Sequence, residues 1–201
     1  ADLTPKQADR FAKVHEQQGL AAQATYLTCD CPIRGATTLA EQFLRREGAA
    51  LPPRLRGYLA QLAAHPSSLY EVVDVFPGKG LALHDRVRDL KVKIRERLAS
   101  TQIQPGWFLL TRVTVQPDGT PVIEGAGLPF DGPMSKGIAA WLAQHVGRGD
   151  GQAIEPRQLI GPLFQLWQRC AVERLEAPTP RLQNQHGEDL VWCKRWEAIG
   201  G

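Results

Sequence analysis

The sequence is poor in cysteine, with four irregularly spaced cysteines in 201 residues. So few cysteines exclude a small disulfide-bonded scaffold and favour a reducing compartment. The chain also lacks any run of about 18 apolar residues, the length that a membrane-spanning helix needs. Its first residues, ADLTPKQADRF, lack the basic-then-apolar pattern of a secretion signal. We therefore expect a cytoplasmic protein with no membrane partner.

An excess of one charge is also missing. The net charge of +3, with 22% charged and 43% hydrophobic residues, is ordinary for a globular protein. A net charge this small does not by itself indicate a polyanionic partner. The distribution is uneven, however: segment 79–97 contains seven basic and three acidic residues, so it carries +4 and leaves −1 for the rest of the chain.

Helical signals dominate the first 66 residues. A first helix is predicted from Thr4 to Gly19, with the hydroxyl of Thr4 as its cap. Thr38 followed by Glu41 forms a capping box, which predicts a second helix that ends at Gly48. A third helix is predicted from residues 52–53, both proline, to just before His65. The apolar faces of the last two helices are Leu39, Phe43 and Leu44, and Leu55, Tyr58, Leu59 and Leu62.

The hydrophobic period then changes from 3.6 residues to two. In LKVKIRER, Leu90, Val92 and Ile94 alternate with basic residues, which predicts a half-buried strand with a basic outer face. Two strands upstream, LYEVVDVF and LALHD, are joined by the turn PGKG, and two downstream, WFLLTRVTV and PVIEGAG, by the turn QPDG. Since open edges are a liability, we predict that the five strands close into a small barrel of SH3-like or OB-like type.

The last third returns to helical spacing. Two apolar faces are predicted: Ile138, Trp141, Leu142, His145 and Val146, and Leu163, Leu166, Trp167, Cys170 and Ala171, with Gly161 and Pro162 interrupting the second helix. Apolar and polar residues alternate on either side of residues 184–187, which predicts a terminal β-hairpin. The predicted fold is α+β: a helical lobe (1–66), a barrel (67–130), and helices with a C-terminal hairpin (131–201) that pack into one compact unit.

Several of these segments resemble a known family. The blocks LYEVVDVFPGKGLALHD, VKIRERLAS and IQPGWFLLTRV, the helix TLAEQFLRREG and the tail PRLQNQHGEDLVW are similar to segments of bacterial SEC-C-type proteins. The resemblance covers roughly residues 37–193. It implies the architecture described above, and it assigns no catalytic residue.

Members of that family often carry a cysteine-rich zinc motif, a tight CxC…CC cluster, at one end. That motif is absent here, and Cys29 and Cys31 lie where the family has apolar or aromatic residues. Either the protein lacks the module or the module lies outside this sequence. The four thiols are not CxxC-spaced, and we predict packing roles for them, with neither a metal nor a cofactor.

The histidines give no stronger signal. His15, His65, His84, His145 and His186 share no HxxxH or HExxH spacing, and His145 is predicted to be a core residue. A cysteine and a histidine can still meet in space, so an enzyme with a spatially assembled Cys/His or Asp/His site remains the alternative function.

The basic segment is the main functional candidate. Alternate residues of a strand project about 6.6 Å apart, close to the spacing of successive phosphates along a single nucleic-acid strand. Small barrels often bind nucleic acids with the help of exposed aromatic side chains, but Phe76, Trp107 and Phe108 fall at expected core positions. A solvated face that guards an edge strand explains the same charges. The predicted contacts are Lys79, Arg86, Arg88, Lys91, Lys93, Arg95 and Arg97.

A second candidate surface is near the C-terminus. Leu190, Trp192 and Trp196 share one phase of the predicted hairpin and its continuation, so their side chains form one apolar group. This group either forms a protein interface or closes the core between barrel and helices. Taken together, the sequence predicts a non-enzymatic binding or adaptor protein whose partner is a nucleic acid or another protein.

Overall fold

A computed structural model describes residues 4–6, 8–9, 20–34, 37–145 and 156–176. Residues 20–25 are helical and lead into a π-helical turn, Tyr26–Asp30. The helices are α1 (Leu39–Glu47), α2 (Pro53–Ala64), α3 (Gly132–His145) and α4 (Pro156–Glu176). The strands are β1 (Pro32–Arg34), β2 (Thr37–Thr38), β3 (Ser68–Phe76), β4 (Gly80–Asp85), β5 (Leu90–Arg95), β6 (Phe108–Val115) and β7 (Pro121–Phe130).

The start of α1 has the predicted capping box. The N–H of Thr38 donates to the Glu41 carboxylate at 2.9 Å, and the N–H of Glu41 donates to the Thr38 hydroxyl at 3.3 Å. Gly48 follows the last residue of the helix, as predicted. The predicted apolar face is wrong in part, because Leu39 and Phe43 are exposed and the buried residue is Ala40.

Helix α2 begins and ends where its prolines and His65 predict. Its predicted apolar face is only partly buried: Leu62 is buried, whereas Leu55 and Tyr58 are exposed. Most of the predicted first helix and the whole predicted terminal hairpin lie outside the described residues.

The strands 68–130 form one antiparallel sheet in the order β5-β4-β3-β6-β7. The five predicted strands and the two predicted turns, PGKG and QPDG, are all present, and β7 continues to Phe130. Strands β1 and β2 form a separate two-stranded sheet.

The predicted closed barrel is wrong. The sheet coils until Cα atoms of β5 and β7 come within 8 Å, but in the described part of the chain no hydrogen-bonded ladder joins these two edges. The prediction assumed that only closure could protect the edges. Here β5 carries lysine and arginine along its edge, and a register shift interrupts the ladder between β6 and the other edge strand, β7, which are two other ways of blunting an edge.

Each face of the sheet has a core cluster. One face packs against α3 and α4, and its core cluster consists of Ala22, Leu69, Phe108, Leu110, Leu128, Phe130, Ile138, Leu142, Leu159, Ile160, Leu163 and Trp167. The coiled face encloses a second cluster of Tyr70, Val72, Leu81, Leu83, Ile94 and Leu109. A barrel would have had one internal core, whereas the helices give this sheet a second one.

The helix α4 runs unbroken through Pro162, although the sequence predicted an interruption there. Pro162 is exposed, so the carbonyl that loses its N–H partner lies on the solvent side. The neighbouring Gly161 allows a close approach, because a Cβ at this position would come 3.0 Å from the hydroxyl oxygen of Tyr26.

Candidate nucleic-acid interface

Five of the predicted basic contacts are exposed on β5, on the turn before β4 and on the segment after β5. Lys91, Lys93 and Arg95 are exposed on one face of β5, while Val92 and Ile94 point toward the coiled core, as the alternation predicts. Leu90 was predicted to be buried and is exposed; its partner at the end of the ladder is the polar Asp85. We call the five exposed cations the basic strip: Lys79, Lys91, Lys93, Arg95 and Arg97.

The register of the sheet places other side chains beside the strip, because directly paired residues share a face. Across β5, β4 and β3 the rows are Lys91–His84–Glu71, Lys93–Ala82–Asp74 and Arg95–Gly80–Phe76. The Lys91 row therefore ends in Glu71 and the Lys93 row ends in Asp74, whereas the Arg95 row ends in the aromatic Phe76.

Phe76 lies beside the strip and not in the core, which corrects the prediction for this residue. The ammonium nitrogen of Lys93 is 5.8 Å from the centroid of the Phe76 ring, within the range of a cation–π contact. The strip thus includes a partly exposed aromatic face next to a cation. Phe108, by contrast, is buried as predicted.

Arg95 reaches across the gap between the two edges of the sheet. Its guanidinium donates to the side-chain oxygen of Gln116 at 2.6 Å and lies 3.9 Å from the carboxylate of Asp118, both in the β6–β7 turn. Both partners of this ion pair are more than half exposed, so the contact is weak in water.

Hydrogen bonds of Ser100 connect the turn that contains Lys79 to Arg97, at the far end of the strip. The N–H of Gly78 donates to the Ser100 hydroxyl at 3.0 Å, and that hydroxyl donates to the carbonyl of Arg97 at 2.8 Å. Within the part of the chain that the structure describes, neither Lys79 nor Arg97 has an ion-pair partner within 4 Å.

The remaining two predicted contacts, Arg86 and Arg88, lie at the opposite end of β4 in ion pairs. Arg86 donates to Glu71 at 3.2 Å, and Arg88 donates to the buried carboxylate of Asp85 at 3.1 Å. That carboxylate also accepts the Ser68 hydroxyl at 2.7 Å and the N–H groups of the turn that follows it. Arg88 therefore belongs to a structural network.

An apolar groove of about 400 Å³ opens between segment 96–103 and strand β7. Half-buried Trp107, which the sequence placed in the core, contributes its wall. We call this the Trp107 groove; its lining is Glu96, Leu98, Ala99, Gln102, Ile103, Trp107, Leu109, Ile123, Gly125, Gly127 and Pro129. The sequence contained no signal for it, since its walls come from segments that are distant along the chain.

The sequence prediction missed a buried ion pair. Arg112 donates to Asp30 at 2.9 Å, and both side chains are 1% exposed. The same guanidinium donates to the carbonyls of Leu62 and His65, and the Asp30 carboxylate accepts the N–H and hydroxyl of Ser67 at 3.1 and 2.8 Å. One signal could have found it: Arg112 shares its strand phase with the buried Leu110.

Two of the described thiols, Cys29 and Cys170, are poorly suited to act as nucleophiles. Burial raises the pKa of the Cys29 thiol, and burial followed by the charge of Glu173 raises that of Cys170, so both are protonated near neutral pH. Among the residues that the structure describes, no three His, Cys, Asp or Glu side chains are placed to hold a metal ion. Cys193 lies outside the described residues.

One Asp/His pair is present on the surface. The His84 Nε2 atom lies 2.7 Å from Asp89, and its Nδ1 atom lies 3.4 Å from the guanidinium of Arg86. The hydrogen bond to His84 lowers the pKa of Asp89. The Arg86 guanidinium therefore faces Nδ1, the ring nitrogen that would have to take a proton from a substrate.

A second apolar groove, of about 680 Å³, lies between α3 and α4 and is lined by Met134, Ile138, Trp141, Leu166, Cys170 and Glu173, among others. His145 was predicted to be a core residue and is exposed: its ring stacks on Trp141 with the centroids 4.2 Å apart. The predicted interface residues Leu190, Trp192 and Trp196 lie outside the described residues.

A comparison with protein-family models, with curated proteins and with solved structures gives no match for this chain. The resemblance to SEC-C-type proteins therefore stays a prediction. None of the described helices is both long enough and apolar enough to cross a membrane.

Proposed function

We propose that the protein is a non-enzymatic binding protein and that the basic strip binds single-stranded nucleic acid. One observation carries the proposal: in the described chain, four exposed cations of the strip, Lys79, Lys91, Lys93 and Arg97, lack an ion-pair partner within 4 Å. Phosphate groups bound there would release condensed counterions, which is the main source of sequence-independent affinity.

Local geometry favours a single strand as the ligand. Lys91 and Lys93 are alternate residues of β5, so they lie about 6.6 Å apart. The ring of Phe76 beside Lys93 offers a surface on which a base can stack. The enzyme alternative has less support, because burial raises the pKa of the Cys29 and Cys170 thiols and the Arg86 guanidinium faces the Nδ1 atom of His84.

The test is a fluorescence-anisotropy titration of a labelled 20-mer at several salt concentrations. With four neutralised phosphates, log K should fall with log salt at a slope of about −3, largely independent of base sequence. The double variant Lys91→Ala/Lys93→Ala should reduce the magnitude of that slope by about 1.4. As a matched control, Arg54→Ala/Arg56→Ala removes the same charge from exposed positions on α2 and should leave the slope close to that of the unaltered protein.

Absence of binding at low salt, or the same slope for both double variants, would contradict the proposal. The strip would then serve to protect the β5 edge and to keep the protein soluble. In that case a protein-binding adaptor becomes the better-supported function.

A further inference from the structure

The basic strip ends at the mouth of the Trp107 groove. Arg97 lies between Glu96 and Leu98, which both line the groove, and Lys79 lies in the turn that is bonded to Ser100. Leu98 is 72% exposed at this mouth. A chain that follows the strip from Lys91 toward Arg97 therefore arrives at an apolar opening with cations on its rim.

The groove is open because β7 contributes little side-chain volume to it. Two of the β7 residues in its lining are Gly125 and Gly127, and a third is Pro129. Its volume of about 400 Å³ falls within the usual range for small-molecule sites. The space is large enough for a planar ring system.

The lining is apolar and has little charge of its own. Its one ionisable group is the carboxylate of Glu96, which accepts the N–H groups of Leu98 and Ala99 at 3.0 and 3.1 Å and so closes the 3₁₀ turn. The amide of Gln102 is exposed and offers a donor and an acceptor at the edge. An apolar slot with an indole wall and a cationic rim is complementary to a neutral planar ring that is attached to an anionic backbone.

We propose that the Trp107 groove binds one unpaired nucleobase, stacked on Trp107, while the adjacent phosphates contact Arg97 and Lys79. The inference rests on the proposed function, and it adds that the bases contribute to affinity and that paired bases are excluded. Stacking of one base on an aromatic side chain corresponds to roughly a tenfold gain in affinity.

The test compares two labelled 20-mers with the same phosphates, one with bases and one fully abasic, on the full chain. The unaltered protein should bind the oligonucleotide with bases about tenfold more tightly, and both should show the same salt slope. Trp107→Ala should remove the difference between the two ligands and keep the affinity for the abasic one. Trp107→Phe should restore most of the difference, because the aromatic face is retained.

Leu98→Ala provides a second variant that does not threaten folding, since Leu98 is largely exposed. It should reduce the preference for bases about twofold to threefold, because it shortens one wall of the groove. Equal affinity of the unaltered protein for both 20-mers would overturn the inference and leave the phosphate contacts of the strip intact. If neither 20-mer binds, the proposed function itself fails, so the two failures are distinguishable.

Discussion

Arg112 and Arg95 are both arginines of the same sheet, and each is paired with an aspartate, but their surroundings differ completely. Arg112 and Asp30 are 1% exposed and 2.9 Å apart, whereas Arg95 and Asp118 are 54% and 56% exposed and 3.9 Å apart. The first pair joins the N-terminal helical lobe to the sheet. The second lies on the surface, where water and salt screen it.

The difference shows how burial decides the role of an ion pair. A buried guanidinium has to be bonded by protein groups, and Arg112 donates to two carbonyls as well as to Asp30. An exposed pair contributes at most about 1 kcal/mol, so a ligand phosphate can replace Asp118 at little cost. Arg112 is therefore a structural residue, and Arg95 remains accessible to a ligand.

The largest expected effect comes from breaking the buried pair. Replacing Arg112 with Leu leaves the carboxylate of Asp30 buried without its cation, which should lower the free energy of unfolding by about 3–5 kcal/mol. The matched variant Arg95→Leu should lower it by less than about 1 kcal/mol. Urea denaturation of the two variants measures both values. Similar losses for the two variants would show that the comparison between them is wrong.

A second prediction contrasts a buried tyrosine with an exposed one. Burial, followed by the charge of Asp85, raises the pKa of Tyr70 to about 12. A hydrogen bond to Glu124, followed by burial, raises that of Tyr58 to about 12 as well. However, Tyr70 is 5% exposed and Tyr58 is 44% exposed, so solvent screens the second shift and we expect its effect on stability to be much smaller.

The sign of the pH effect follows from the raised pKa of Tyr70. The unfolded tyrosine loses its proton near pH 10, so the stabilisation by the neutral phenol is complete below pH 10 and is lost as the pH rises toward 12. The unaltered protein should therefore lose roughly 2 kcal/mol more than Tyr70→Phe between pH 9 and pH 12. Denaturant titrations at the two pH values measure this, with Tyr58→Phe as the exposed control. A larger change for Tyr58→Phe would contradict the prediction.

The smallest expected effect concerns the hairpin that presents the strip. A Cβ on Gly80 would collide with the carbonyl oxygen of Ile94 on the neighbouring strand, so Gly80→Ala has to separate β4 from β5. We expect a loss of about 1–3 kcal/mol in the free energy of unfolding. In contrast, Gly57→Ala in α2 meets no atom within 4 Å and should add about 0.5–1 kcal/mol. A thermal or urea denaturation series of the two variants checks both signs.

The sequence predicted the features that depend on neighbouring residues. The capping box of Thr38 and Glu41, the turns between the strands, and the phase of Val92 and Ile94 were predicted correctly. Each follows from a period of two, from a local hydrogen bond or from a turn residue, and none requires knowledge of a distant segment. Of the basic residues, the sequence also identified those on the outer face of β5.

Tertiary structure alone decided the rest. In the described chain no ladder joins β5 to β7, so the predicted closed barrel is wrong, and helices α3 and α4 cover one face of the sheet, which no local pattern of the strands records. Arg88 is part of a buried network and Lys93 is not, although both lie in the same basic segment. The Trp107 groove and the Arg112–Asp30 pair join residues that are far apart along the chain, and the Arg112–Asp30 pair spans 82 positions. Strand periodicity fixes which way a side chain points, but only the packing of distant segments determines whether it meets water, a carboxylate or another hydrophobic side chain.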